Sequence, residues 1–245
     1  MLFVANKNLK LRRGKWAAQL SHALMKLLLQ SCHKDSSGNL EIEQDKLKHI
    51  KNYVDKLVNN PSSIKIEWVD SQKLLEEAEN RAPQFTASIV DYGRTEFHGV
   101  KTKTCLVIDD DSVLKQVSTH TFSEEAVNAK QVVAIRDNLK LTKQEQFGLA
   151  VSGSNKKLIS CFAYDTDKYV LTKEGNKELF NWLSGAFAKI CVRFSEQTEL
   201  EERISSFNMK ELVTTIHKEN DLVCAVFTAC TNKELEGVTS DLKLY

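Results

Sequence analysis

The chain has 245 residues, 42% of them hydrophobic and 27% charged, with a net charge of +1. That is enough apolar material for one large domain or two ordinary ones, and too much for a disordered chain. It excludes a polycation, and no run approaches the roughly 20 apolar residues that carry a helix across a bilayer.

A short apolar strand is predicted over residues 2–5, entered without the charged and apolar regions of a signal peptide, so a cytoplasmic protein with no membrane partner is expected. Asn8, Leu9, Lys10 and Leu11 then lead through Arg12, Arg13 and Gly14 into a predicted helix. On it Lys15, Gln19 and His22 stand at i, i+4 and i+7, one polar stripe on a surface otherwise mostly Ala, Leu and Trp. Free N–H groups at a helix start favour negative charge, and the first thirty residues carry Lys7, Lys10, Arg12, Arg13, Lys15 and Lys26 with no Asp or Glu. Strand, basic turn and helix in that order build an anion site. The same residues also suit a solvated basic turn before an amphipathic helix, with His22 satisfied by a backbone carbonyl.

A polar loop follows over 33–39, then a predicted helix from about 42 to 58 that stops before Asn59, Asn60 and Pro61. A strand over 64–69 and a Glu-rich helix over 74–81 come next. The run from Ser88 reads as a strand ending in a polar turn, Asp91-Tyr92-Gly93-Arg94-Thr95-Glu96, and such strand ends are where α/β proteins place reactive groups. There Asp91 suits a general base on water, Thr95 a holder of that water or of a carbonyl, and Arg94 a phosphate contact, although Asp-x-Gly-Arg is also good turn chemistry. Six cysteines without a C-x-x-C pair read as small buried hydrophobes in a reducing compartment, and no metal or other cofactor is expected.

The second part of the chain echoes the first. Asn8-Leu9-Lys10-Leu11 recurs as Asn138-Leu139-Lys140-Leu141, the strand 64–69 is paralleled by 188–193, the strand 104–108 by 223–227, and Val117-Ser118-Thr119-His120 by Val238-Thr239-Ser240-Asp241. The expectation is an α/β protein of two tandem three-layer units, each a small mixed, mostly four-stranded sheet covered by helices, spanning 1–122 and 130–245. Each unit is expected to run strand, helix, helix, strand, helix, strand, strand, helix, with the junction near 123–130.

Together the two motif segments resemble the type II peptidyl-tRNA hydrolase family. The resemblance rests on Leu9-Lys10 through Arg13-Gly14-Lys15 to Ala17-Ala18-Gln19 and His22-Ala23, on Asp91-Tyr92-Gly93-Arg94-Thr95-Glu96 followed by Thr104-Cys105-Leu106, and on Val117 to His120 at the entry to a closing helix. Asp241-Leu242-Lys243-Leu244-Tyr245 is similar to the family's ending. The second copy, with Gln144, Glu145 and Leu149 where the first has Gly14, Lys15 and Gln19, keeps the frame without the chemistry. Its counterpart of the Asp91 turn is expected to run as strand through 217–220 straight into Leu222.

What the resemblance implies is hydrolysis of the ester joining a peptide to tRNA. Asp91 would orient or deprotonate water and Lys15 would stabilise the oxyanion, with Thr95 and Gln19 fixing the ester and Lys10, Arg12, Arg13 and Arg94 holding tRNA phosphates. His22, Thr104 and His120 would line the site. Glu96 in place of the family's amide is expected to repel a phosphate, and Tyr92 to narrow the site. The two copies would pair within one chain and leave a monomer. The alternative is a duplicated hydrolase fold without catalysis that binds tRNA or protein.

Overall fold

The structure, a computed structural model, describes residues 1–93, 96–118, 128–185, 187–209 and 211–245. Its first part runs β1 (Leu2–Asn6), α1 (Arg13–Gln30), β2 (His33–Lys34), β3 (Leu40–Glu43), α2 (Gln44–Asn59), β4 (Ile66–Val69), α3 (Gln72–Arg81), β5 (Thr86–Asp91) and β6 (Thr102–Ile108). The second runs β7 (Lys130–Arg136), α4 (Lys143–Ser160), β8 (Ala163–Asp165), β9 (Lys168–Leu171), α5 (Lys177–Ser184), β10 (Lys189–Phe194), α6 (Gln197–Ser206), β11 (Val213–Lys218), β12 (Asp221–Cys230), α7 (Asn232–Leu235) and β13 (Lys243–Leu244).

The period of two along the strands decides which residues go where. In β1, Phe3 and Ala5 enter the central core while Val4 faces away, and β6 repeats the split with Cys105 and Val107 inward and Leu106 and Ile108 outward. The outward set is covered by Leu75 and Ala78 of α3. In the second part Leu200 and Ile204 of α6 cover Val132, Ala134 and Val192 in the same manner. The first sheet has the order β4-β1-β6-β5 and the second β11-β12-β7-β10-β13. In both, the first strand pairs in parallel with the strand after its helices and antiparallel with the last long strand, which pairs antiparallel with its neighbour in sequence. The mixed α/β class and the helices on both faces of each sheet agree with the expected architecture.

Helix α1 packs on β5 and β6 of its own sheet, on α4 and on β10 of the second sheet, while α4 packs on β7, β11 and β12 and also on α2. One apolar core is therefore shared: Leu20, Leu24 and Leu27 of α1 belong to the same cluster as Phe147, Leu149 and Val151 of α4. Burial there pushes the thiols of Cys105 and Cys191 up to about 12, which makes them packing groups, as expected.

Several expected elements are corrected. The segment read as a polar loop and an early helix start is a hairpin, in which Leu40 and Ile42 are buried and the helix begins only at Gln44. This hairpin continues into a sheet that the sequence did not suggest, β2-β3-β9-β8, where β3 of the first part pairs antiparallel with β9 of the second, Leu40 opposite Leu171 and Ile42 opposite Tyr169. The run through 217–220 is not continuous strand. Glu219 adopts φ 55 and turns β11 back onto β12. The closing helix of the second unit is only the single turn α7, ended before Gly237, and residues 238–241 form turns. In the first part Val117 and Ser118 are not helical, their N–H groups donating to the Gln30 carbonyl, while Thr119 and His120 lie outside the described residues, as does the expected junction up to residue 127. Among the described residues no helix is long and apolar enough to cross a membrane.

Candidate active site

Three elements of the first part meet at one carboxylate. Strand β5 ends on Asp91, which is buried, and successive turns of α1 bring Lys15 and Gln19 over it. Lys15 Nζ lies 2.6 Å from Asp91 Oδ2, and Gln19 Nε2 donates to the same oxygen at 2.6 Å. The Gly93 N–H donates to Oδ1 at 2.8 Å. From β6, the Thr104 hydroxyl donates to Gln19 Oε1 at 3.2 Å, which fixes the orientation of the amide. Gln19 and Thr104 are buried, but 23% of the Lys15 side chain is exposed, so the ion pair opens on solvent along its cationic edge.

The turn after Asp91 requires its glycine. Gly93 has φ +76, and a Cβ there would stand 2.7 Å from the backbone N and O of Val100. This close approach folds the segment back so that the Gly99 N–H donates to the Gly93 carbonyl at 3.0 Å. Tyr92 is half-buried with the Lys101 ammonium 4.9 Å from its ring centre.

The basic rim divides in two. Arg12 is held by Glu96, with Nε and Nη2 at 2.9 and 2.8 Å from one carboxylate oxygen, so Glu96 pairs with a cation instead of presenting a free charge to a phosphate. Arg13 is exposed and faces a pocket, while Lys10 is exposed in the turn before α1; neither makes an ion pair among the described residues. Arg94, Thr95 and His120 lie outside the described residues.

His22 is not held as expected. Its Nδ1 is buried with no hydrogen-bond partner, and its ring packs against Phe187 of the second part at 4.6 Å. Burial, with Lys189 and then Lys15 nearby, holds the imidazole well below its usual range, so it is neutral near pH 7. Beside it the Lys189 ammonium is also buried without a hydrogen-bond partner, 5.8 Å from the centre of the Phe187 ring, and burial pushes it down to about 7.

A family profile described as peptidyl-tRNA hydrolase PTH2 matches residues 1–121. Residues 1–121 of the 245 thus carry a domain of the peptidyl-tRNA hydrolase PTH2 family. The chain matches no curated protein closely enough to mark a relative. Within the PTH2 match fall both segments that build the Asp91 centre, α1 with Lys15 and Gln19 and the β5 end with its glycine turn.

Among the described residues one cluster has metal-type ligands, His49 with Asp109 and Asp111. Asp109 is already committed, however: Oδ1 bonds His49 Nε2 at 3.0 Å and Oδ2 accepts the N–H groups of Val113 and Leu114 at 2.8 and 2.7 Å, the pattern of a turn staple. Sequence reasoning missed Lys189 and Phe187 against His22, and Lys140, Arg193 and Tyr245 beside Arg13. Lys140 carried a signal, since it repeats Lys10 in the recurring tetrapeptide. Arg193 is the one exposed residue between buried neighbours of a strand and carried none.

Proposed function

We propose that the chain hydrolyses the ester of peptidyl-tRNA at the Asp91 centre. The observation that carries this reading is the convergence of Lys15 and Gln19 on Asp91 Oδ2, an arrangement a mere scaffold has no need of. Donors on Oδ2 and on one side of Oδ1 fix the carboxylate, and Asp91 acts as the acceptor for a water proton. The water oxygen attacks the ester carbon as Asp91 takes its proton. The Lys15 ammonium, held beside Asp91, stabilises the developing oxyanion. Collapse breaks the bond to the ribose oxygen, which recovers the proton from Asp91, and peptide and tRNA leave. Gln19 and Thr95 fix the ester, Thr104 holds Gln19, and Lys10, Arg13 and Arg94 contact phosphates. Arg12, engaged by Glu96, contributes less than the sequence suggested. His22 and His120 are proposed to line the site without a part in the chemical step.

The chain is read as two units, 1–122 and 130–245, the second a relative of the first without the catalytic set. The common strand order and sense of the two sheets supports this, as does the shared core that lets the units pair within one chain. Light scattering on the eluting protein should give the monomer mass of 27.8 kDa.

The deciding experiment is metal-free hydrolysis of a peptidyl-tRNA analogue by the wild type and by Asp91→Ala. Loss of about 10²–10⁴-fold in turnover in a variant that melts normally supports the mechanism. Equal rates overturn it, and a wild type that binds tRNA without cleaving it makes the chain a binding module.

A further inference from the structure

A pocket of about 600 Å³ opens beside the N-terminal end of α1 and draws its walls from both parts of the chain. Arg12 and Arg13 come from the first; Lys140, Gln146 and Arg193 from the second. Arg12 is neutralised by Glu96. The rest is cationic: Arg13 and Lys140 make no ion pair among the described residues, and Arg193 Nε is 4.0 Å from the acidic side chain of the wall, Asp137, which also accepts the Ser195 hydroxyl. Three cationic side chains thus face one acidic side chain. Gln146 adds a second, independent feature: it is 5% exposed, its Nε2 donates to the Leu141 carbonyl at 2.7 Å, and its Oε1 is buried with no partner.

We infer that this pocket binds the ribose–phosphate backbone of RNA. Arginine and lysine side chains from two directions suit phosphate oxygens, and an orphaned amide oxygen suits a ribose 2′-hydroxyl, a donor that a deoxyribose backbone lacks. The volume is that of a ligand site able to take one nucleotide unit. The second part of the chain, which lacks the Asp91 set, thereby acquires a role: it supplies Lys140 and Arg193 to hold the RNA whose ester is presented to the first part. The identity of that RNA as tRNA rests on the proposed hydrolysis, and the test separates the two.

The test measures binding of 3′-labelled deacylated tRNA by fluorescence anisotropy over about 50–200 mM salt. The double variant Lys140→Gln/Arg193→Gln should bind about 10- to 100-fold more weakly and lose about 1.4–1.8 units from the slope of log affinity against log salt, since each phosphate contact contributes about 0.7–0.9. Lys140→Arg/Arg193→Lys should restore most of both. If the wild type binds tRNA but never hydrolyses its ester, the enzymatic reading falls while a weakened double variant still sustains the pocket. If the double variant keeps wild-type affinity and slope, the inference is overturned whatever the hydrolysis assay shows. It is equally overturned if that variant keeps its tRNA affinity and loses affinity only for a polyglutamate peptide, which would make the pocket a protein-docking site.

Discussion

Helices α1 and α4 both run 18 residues, both follow a turn containing Leu-Lys-Leu, and they pack against each other, yet their first turns have opposite chemistry. At α4, Thr142 Oγ1 accepts the Glu145 N–H at 3.2 Å and Glu145 Oε2 accepts the Thr142 N–H at 2.8 Å, a capping box that satisfies the helix start with a carboxylate of its own. Those bonds hold the Glu145 carboxyl below its usual range. Helix α1 has no side-chain cap and no acid in its first turn, and carries Arg12, Arg13 and Lys15 instead. The same positive helix end is thus used in two incompatible ways: closed internally it stabilises the fold, and left open with added cations it favours an anion from outside.

The comparison breaks most sharply where the two helices exchange residues. Lys15→Glu copies the α4 acid into α1, sets a second carboxylate against Asp91 and should reduce peptidyl-tRNA hydrolysis by about 10³- to 10⁴-fold in a steady-state assay. If activity survives, the Lys15–Asp91 pair is not the reacting centre.

A large effect on stability is expected from the amine buried beneath α1. Lys189 titrates at about 7 in the folded chain against 10.5 as a free side chain. Between those values only the unfolded chain holds the proton, so the penalty is absent above about pH 10.5, grows as pH falls and is complete below about 7. Lys189→Met should therefore raise stability at pH 6 by roughly 4–5 kcal/mol and remove most of the slope between pH 7 and 10 in urea titrations. A variant that keeps the wild-type slope would show that Lys189 reaches solvent.

The reverse exchange, Glu145→Lys, is a matter of stability alone. It opens the capping box and should cost about 1–2 kcal/mol in thermal unfolding at pH 7 while leaving hydrolysis within about twofold. The contribution of Glu145 is present above the usual glutamate range and is lost as pH falls through it, so the variant and the wild type should converge in acid. The smallest effect belongs to Arg13→Glu. It gives α1 an acid in its first turn, should stabilise the helix by a few tenths of a kcal/mol, and should weaken tRNA binding measurably.

Much of this contrast was legible from residue types. The i, i+4 spacing of Lys15 and Gln19 and the Gly93 turn after Asp91 carry the geometry of the centre, because a helix stripe and a strand end have few ways to meet. The strands over Phe3, Val4 and Ala5 and over Leu106 and Val107 were likewise readable from apolar runs. The β2–β3 hairpin was not, since Leu40 and Ile42 alternate over only four residues before a helix takes over, and the partner that makes them a strand lies 130 residues further on. Nor was the Arg12–Glu96 pair, which depends on the path of a loop, nor the orphaned His22 nitrogen, which depends on Phe187 closing over it from the second part.

The β3–β9 pairing also bears on how the protein is assembled. A ladder contributed by segments far apart in the chain closes only after both parts have been synthesised, and until then Leu40 and Ile42 lie on a strand edge without its partner. The N-terminal part made alone should therefore self-associate, and co-expression with the C-terminal part should rescue it by fragment complementation. The intact chain should melt in one cooperative step, because neither part can loosen without tearing the strand that the other supplies.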